Sequence, residues 1–383
     1  MSDEAAEIWR GLCERLAATG ERALRVAPDA AEQLEHLVDQ ASLWLAWASL
    51  HDDPARPFFH RHNDLVSQWG GPNADNVYRH ARIEPGRRYV IRGRMHSCEE
   101  FLLAVRAGFM HSPVWGTLEQ VAAGDLGIGP GDDFEIRLGG DEPGAIDIPD
   151  GAVMVSIRDY YFDWTPEEPA TFTIECQDPE PVTTPTVEVQ SGRFDRVVAE
   201  FEASLDYWQR YMDDNRATRI DNSYDAATVQ LAQGLSAARY EFCFWDLEPD
   251  EALIIESDRP AARYWSFQLY MMGTFEPVDL YEAISSRNHR QTTVSDDGRV
   301  RVVVSATDPG VPNWLDTRGR GNGLCTLRWF WPDDDSRPAV ATTKVAVDEV
   351  AGLMPAGTST VSPVERAAEL EARRAHLRWR FRT

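Results

Sequence analysis

The apolar positions change their period repeatedly along the chain, and each change marks an element. Ile8, Leu12 and Leu16 recur every four residues, which predicts a helix over 3–20. Pro28-Asp29 opens a second helix that carries Leu34, Leu37, Val38, Ala41, Trp44, Leu45 and Ala48 on one side and ends near Leu50. The proline- and glycine-punctuated stretch that follows, up to Asn76, predicts an irregular loop. From Asn76 the period falls to two. VYRHARI, RRYVIRGRM, GPGDDFEIRLGG, AIDIP, AVMVSIRDYYFDW and ATFTIECQ read as strands, whereas SCEEFLLAVRAG fits either a strand or a short helix and TLEQVAAGDL a turn or short helix. DPEPVTTPTVEVQSG, residues 178–192, reads as a linker. A helical stripe of Phe194, Val197, Val198, Phe201, Leu205 and Trp208 follows, then a second helix over 223–244 with Leu231, Leu235 and Ala238 inward, capped by Asp221, Asn222 or Ser223. ALIIES, YWSFQLYMM, RVRVVVSA, LCTLRWFW and VATTKVAV return to period two. Ser362, Pro363 and Glu365 make a capping box with proline at the first helical position, so a helix closes the chain.

The predicted fold is mainly β with added α (α+β): two tandem antiparallel β-sandwich modules, an N-terminal helical segment, a helical pair between the modules and a C-terminal helix. The segments are 1–72 (helices and loop), 73–178 (first module), 179–250 (linker and helical pair), 251–350 (second module) and 351–383 (C-terminal helix). The two β regions repeat an order of features. Arg88-Tyr89, Asp132-Asp133, Pro143-Gly144 and Arg158 in the first answer to Arg263-Tyr264, Asp296-Asp297, Pro309-Gly310 and Arg328 in the second.

Composition narrows the partners. A formal net charge of −25 argues against nucleic acid and anionic membrane surfaces. No apolar run reaches membrane-spanning length, and the acidic N-terminus lacks the pattern of a signal peptide. The five cysteines are scattered with no C-x-x-C, which reads as free, mostly buried thiols in a reducing cytoplasm.

At YWSFQLYMMGTF, DDGRVRVVV, P-x-x-NWL and LRWFWP, over about 250–335, the chain resembles the C-terminal module of the DUF1214 family. Over 73–175, DNVYRHARIEPGRRYVIRG and VSIRDYYFDWTPEEPATFTIE more loosely resemble the DUF1254 module that typically precedes it. The resemblance implies β-sandwich modules, often oligomers, and no settled activity. The family commonly has a proline where this chain has Asp316, after Asn313-Trp314-Leu315.

The candidate chemistry lies in a few groups. Arg158 and Arg328 each close an apolar strand beside aromatics, where a guanidinium stacks and still presents its fork to an anion; a duplicated arginine equally suits a role in the shared fold. Tyr160 and Asp163 lie in a run that offers acid–base groups if partly buried, and none if it is a surface hairpin. Asn313, Trp314, Trp331 and Tyr264 are the candidate ligand-binding residues of an aromatic pocket. His60, His62 and Asp64 form the one dense histidine cluster, a divalent-metal alternative to an otherwise cofactor-free reading. No nucleotide, serine-hydrolase or zincin motif occurs. The expectation is a cytoplasmic enzyme acting on a small aromatic, polyol or sugar-like metabolite in a Trp/Tyr/Arg-lined pocket between the modules, by acid–base hydrolysis or elimination. A non-catalytic small-ligand-binding protein or an oligomeric assembly protein is the alternative, and a homo-oligomer is expected in either case.

Overall fold

A computed structural model describes residues 2–26, 30–165, 167–178, 180–181, 184–224 and 234–382. The chain divides into two units. The first comprises Met1–Trp69, Val77–Tyr160 and Glu168–Arg210; the second comprises Gly70–Asn76, Tyr161–Glu167 and Tyr211–Thr383.

The first unit starts with helices α1 (Ser2–Val26) and α2 (Ala30–Leu45), the latter running into one π turn, Ala46–Leu50. Its strands are β1 (His60–Asn63), β2 (Asn76–Arg82), β3 (Tyr89–Arg94), β4 (Glu100–Gly108), β5 (Gly116–Ala122), β6 (Asp133–Leu138), β7 (Met154–Tyr160) and β8 (Thr171–Cys176). They form a five-stranded sheet, β1-β2-β7-β4-β5, and a three-stranded sheet, β6-β3-β8. Helix α3 (Val187–Ala217) supplies Val197, Val198, Phe201, Leu205 and Trp208 as its buried stripe.

In the second unit the strands are β9 (Ala238–Asp246), β10 (Glu251–Asp258), β11 (Ala262–Tyr270), β12 (Ser286–Asn288), β13 (Arg299–Ser305), β14 (Trp314–Asp316), β15 (Asn322–Pro332) and β16 (Val340–Ala346). The sheets run β12-β11-β15-β9 and β14-β13-β10-β16. One apolar cluster draws on both: Trp245, Trp265, Phe267, Leu327 and Trp329 from the first, Leu253, Ile255, Val302 and Leu315 from the second. A short turn of helix α4 (Val350–Leu353) precedes α5 (Pro363–Phe381), which begins with the expected capping box: Ser362 accepts from the Glu365 amide and Glu365 returns a bond to the Ser362 amide.

The strand order repeats. β2-β7-β4 in the first unit matches β9-β15-β11 in the second, and β6-β3-β8 matches β13-β10-β16. This order pairs Arg158 on β7 with Arg328 on β15. It does not pair Arg88-Tyr89 with Arg263-Tyr264, because Tyr89 opens β3, the counterpart of β10, whereas Tyr264 lies on β11. The shared Arg-Tyr spelling is a coincidence of two different strands.

Several expected elements differ. Residues 238–246, expected in a helix over 223–244, are β9, paired with β15 from Ala238↔Phe330 to Asp246↔Asn322; the ladder overrides the local helix pattern. Residues 225–233 of that expected helix, with Leu231, lie outside the described residues, as does Pro28-Asp29, the expected opening of the second helix. The helical pair is therefore one described helix, α3, which begins at Val187 inside the expected linker. TLEQVA is a strand, β5, because it pairs along β4. AIDIP contributes one isolated bridge, Leu138↔Ile146, and no strand. The expected loop before Asn76 contains β1.

Candidate functional site

β1 pairs with β2, setting His60 opposite His80, and His62, at the β-bulge between Arg61 and Asn63, lies with its ring beside that of His60. A histidine cluster results. The rings of His62 and His80 stack with centroids 4.2 Å apart and planes 17° from parallel. His60 lies 5.0 Å from His62, and His51, just after the π turn, lies 4.8 Å from His60. Trp47 and Phe109 close over His62 at 4.9 and 5.1 Å. His62 is fully buried and neither ring nitrogen has a hydrogen-bond partner; Nδ1 of His51, His60 and His80 also lacks one. Burial, reinforced by the charge of neighbouring His51, pushes His60 down to about 4. Burial holds His62 and His80 well below the ordinary imidazole value too, with His80, His60 and Arg82 acting on the first and Arg106 and Arg158 on the second. The cluster is neutral at pH 7.

Outside it lies a groove of 590 Å³, lined by Leu34, Val38 and Leu43 of α2, by His60 and Arg61 of β1, and by Asp64 and Val66 beyond. Leu34 and Val38, expected on the buried side of α2, are exposed here, while Leu37 and Trp44 face the core. The Asp64 carboxylate accepts from the Val66 and Ser67 amides at 2.8 and 2.9 Å, so it serves its own turn. The set His60, His62 and Asp64 does not assemble as metal ligands. Among the described residues no three His, Cys, Asp or Glu side chains are placed to hold a metal ion. The near-parallel His62 and His80 rings keep their in-plane lone pairs from meeting at one point.

The second unit encloses a polar network around Asp75. Its carboxylate accepts from Tyr264 Oη at 2.5 Å, from Trp164 Nε1 at 2.7 Å and from Asn288 Nδ2 at 2.7 Å. Tyr264 also reaches Asn73 and Ser266, and burial, then the Asp75 charge, raises its phenol well above the ordinary value. Trp164 is flanked by Arg373 at 4.3 Å and Arg380 at 4.8 Å and stacks on His376. Trp164 closes the run that holds Tyr160 and Asp163, whereas Asp75 carries no local sequence signature and the sequence reading missed it.

The other expected site residues are also tied into the fold. Arg328 is buried, donates to Tyr270 Oη and lies 5.6 Å from the Tyr240 ring on β9. Arg158 lies 5.3 Å from the Tyr78 ring on β2. The two arginines thus make the same cross-strand stack in their separate units. Tyr160 is buried at the end of β7, and Asp163 is exposed. Trp314 Nε1 donates to Ser305, and Arg366 sits over its ring at 5.3 Å. Asn313, at φ 58°, accepts from the Thr293 amide and donates to the Thr293 and Arg301 carbonyls. Trp331 is partly exposed and stacks under Arg263. At Asp316, where the resemblance implies proline, the amide donates to the Ile284 carbonyl at 3.0 Å, a bond proline would remove.

Comparison with known proteins bears on the β10–β15 region. Residues 247–334 match the family described as "Protein of unknown function (DUF1214)". This stretch is a DUF1214 segment. The match does not extend into 73–175, where DUF1254 remains a resemblance. No curated protein matches the chain at a significant level. The chain is similar in structure to an uncharacterised protein from Burkholderia cenocepacia, at 24% identity and a TM-score of 0.82 over 92% of this chain and 100% of the other. That likeness shows the fold. A protein from Vibrio parahaemolyticus aligns at 12% identity and a TM-score of 0.45, over 81% of this chain and 97% of its own. Among the described residues no helix is long and apolar enough to cross a membrane.

Proposed function

We propose that this DUF1214 protein binds a small molecule, held in the groove over His60 in the first unit. The supporting observation is the groove itself: 590 Å³, walled by Leu34, Val38, Leu43 and Val66, with a few polar groups at its edge. Ligand sites have this size and this mixture. Binding without catalysis is favoured because Trp314, Asn313, Tyr264 and Arg328, the groups an aromatic or sugar-binding catalytic pocket would use, are engaged in internal bonds. Two related β-sandwich modules, a homo-oligomer and a reducing cytoplasmic setting belong to the same reading; the five free cysteines suit the last.

The test is a titration with Nile red, a neutral apolar dye. Its emission should rise on binding, and Ser42→Trp, a substitution at an exposed groove residue, should abolish the rise. A rise unchanged in Ser42→Trp sinks the assignment. An enzyme is the second reading, carried by the neutral imidazole of His60 at the groove. Its signature is turnover of a bound metabolite that His60→Gln removes while binding stays.

A further inference from the structure

We propose that the groove takes an amphipathic organic cation, an aliphatic body carrying one ammonium or amidinium head. This rests on the groove being the ligand site. Its walls expose aliphatic surface: Leu34 is 54%, Val38 68% and Val66 87% accessible. Single exposed apolar side chains are ordinary, but three around one concavity form a continuous surface that an aliphatic body can cover.

The charges at the groove are unbalanced. Glu35, Asp39 and Asp64 stand against Arg61. Asp39 is engaged, accepting from Ser67 Oγ and from the Gln68 amide. Asp64 commits Oδ1 alone to its turn, which leaves Oδ2 for a ligand. Glu35 is exposed and makes no hydrogen bond or ion pair among the described residues. The floor adds no opposing charge, since the His60 ring is neutral. An anionic ligand would meet like charge at the groove edge and from the chain as a whole, at −25. A cation meets two carboxylates beside the apolar walls, and the same acidic field raises its local concentration.

The experiment is a calorimetric titration of the whole chain with octylammonium, octan-1-ol and octanoate, three ligands with one body and different heads. Octylammonium should bind about tenfold tighter than octan-1-ol, and octanoate weakest. The double variant Glu35→Gln, Asp64→Asn should remove the advantage of the cation and leave the alcohol unchanged; asparagine keeps the Oδ1 acceptor of the turn. Ser42→Trp should abolish binding of both. Equal affinity for cation and alcohol, both lost in Ser42→Trp, would overturn the ligand class while the groove stands as a site. Cation binding that survives Ser42→Trp would be diffuse attraction to an acidic surface and overturns the proposal. Absence of any binding that Ser42→Trp removes ends the groove reading and the proposal with it.

Discussion

Replacing His62 with phenylalanine should blunt the acid sensitivity of the first unit. In the unfolded chain His62 takes up a proton as pH falls through 6.5. In the folded chain it does not, because burial and the neighbouring imidazoles and Arg82 hold its value well below that. A group whose folded value is depressed leaves stability intact above the unfolded value and erodes it as pH falls toward the folded one. For His60, the interval from 6.5 to about 4 is worth about 3 kcal/mol, at about 1.4 kcal/mol per pH unit. His62, buried more completely, adds a proton of its own over the same interval. Between pH 6.5 and 5.0 its removal should therefore spare about 2 kcal/mol. At pH 7.5 phenylalanine trades two unpartnered nitrogens for slightly greater bulk, and the two proteins should agree within about 1 kcal/mol. The assay is urea unfolding at pH 7.5 and 5.0, followed by tryptophan fluorescence, since Trp44 and Trp47 adjoin the cluster. Carboxylates titrate in both proteins and cancel in the difference. An identical loss of stability in wild type and His62→Phe would show that the ring is protonated, or reached by solvent, in the folded state.

Two other outcomes test the second unit. Asp75→Ala removes a buried carboxylate that takes three hydrogen bonds and should cost about 4 kcal/mol of unfolding free energy; a cost under about 1 kcal/mol would mean the network is dispensable. Residues 247–334 expressed alone should lack cooperative unfolding and give poorly dispersed NMR spectra. They omit β9, which pairs along β15, and β16, which pairs along β10; a sharp thermal transition would refute this.

In the second unit β10, β11, β13, β15 and β16 were legible because each needs little beyond its own alternation. RVRVVVS and LCTLRWFW place β-branched and aromatic residues on both faces, as central strands do. The capping box of α5 is local and was read correctly. β9 was not legible: the small residues before it suggest a helix, and only the ladder to β15 makes it a strand. β1 failed for the opposite reason, being four residues long and defined by one neighbour. The groove was hidden because Leu34 and Val38 fit the helical stripe of α2, and nothing in the sequence says that the stripe is wider than the core it covers. The Asp75 network was invisible for a third reason. Its partners Tyr264 and Asn288 stand 189 and 213 positions away, beyond any local pattern.

That separation has a bearing on synthesis. Gly70–Asn76 and Tyr161–Glu167 belong to the second unit but leave the ribosome long before it. Ala74 waits for Arg380, 306 positions later, to donate to its carbonyl. Until Tyr264 and Asn288 are made, Asp75 lacks two of its three partners, and until α5 emerges Trp164 lacks Arg373, His376 and Arg380. The late unit should close quickly once α5 emerges, whereas a ribosome stalled short of Arg380 would hold a chain with its first unit made and its second unit open.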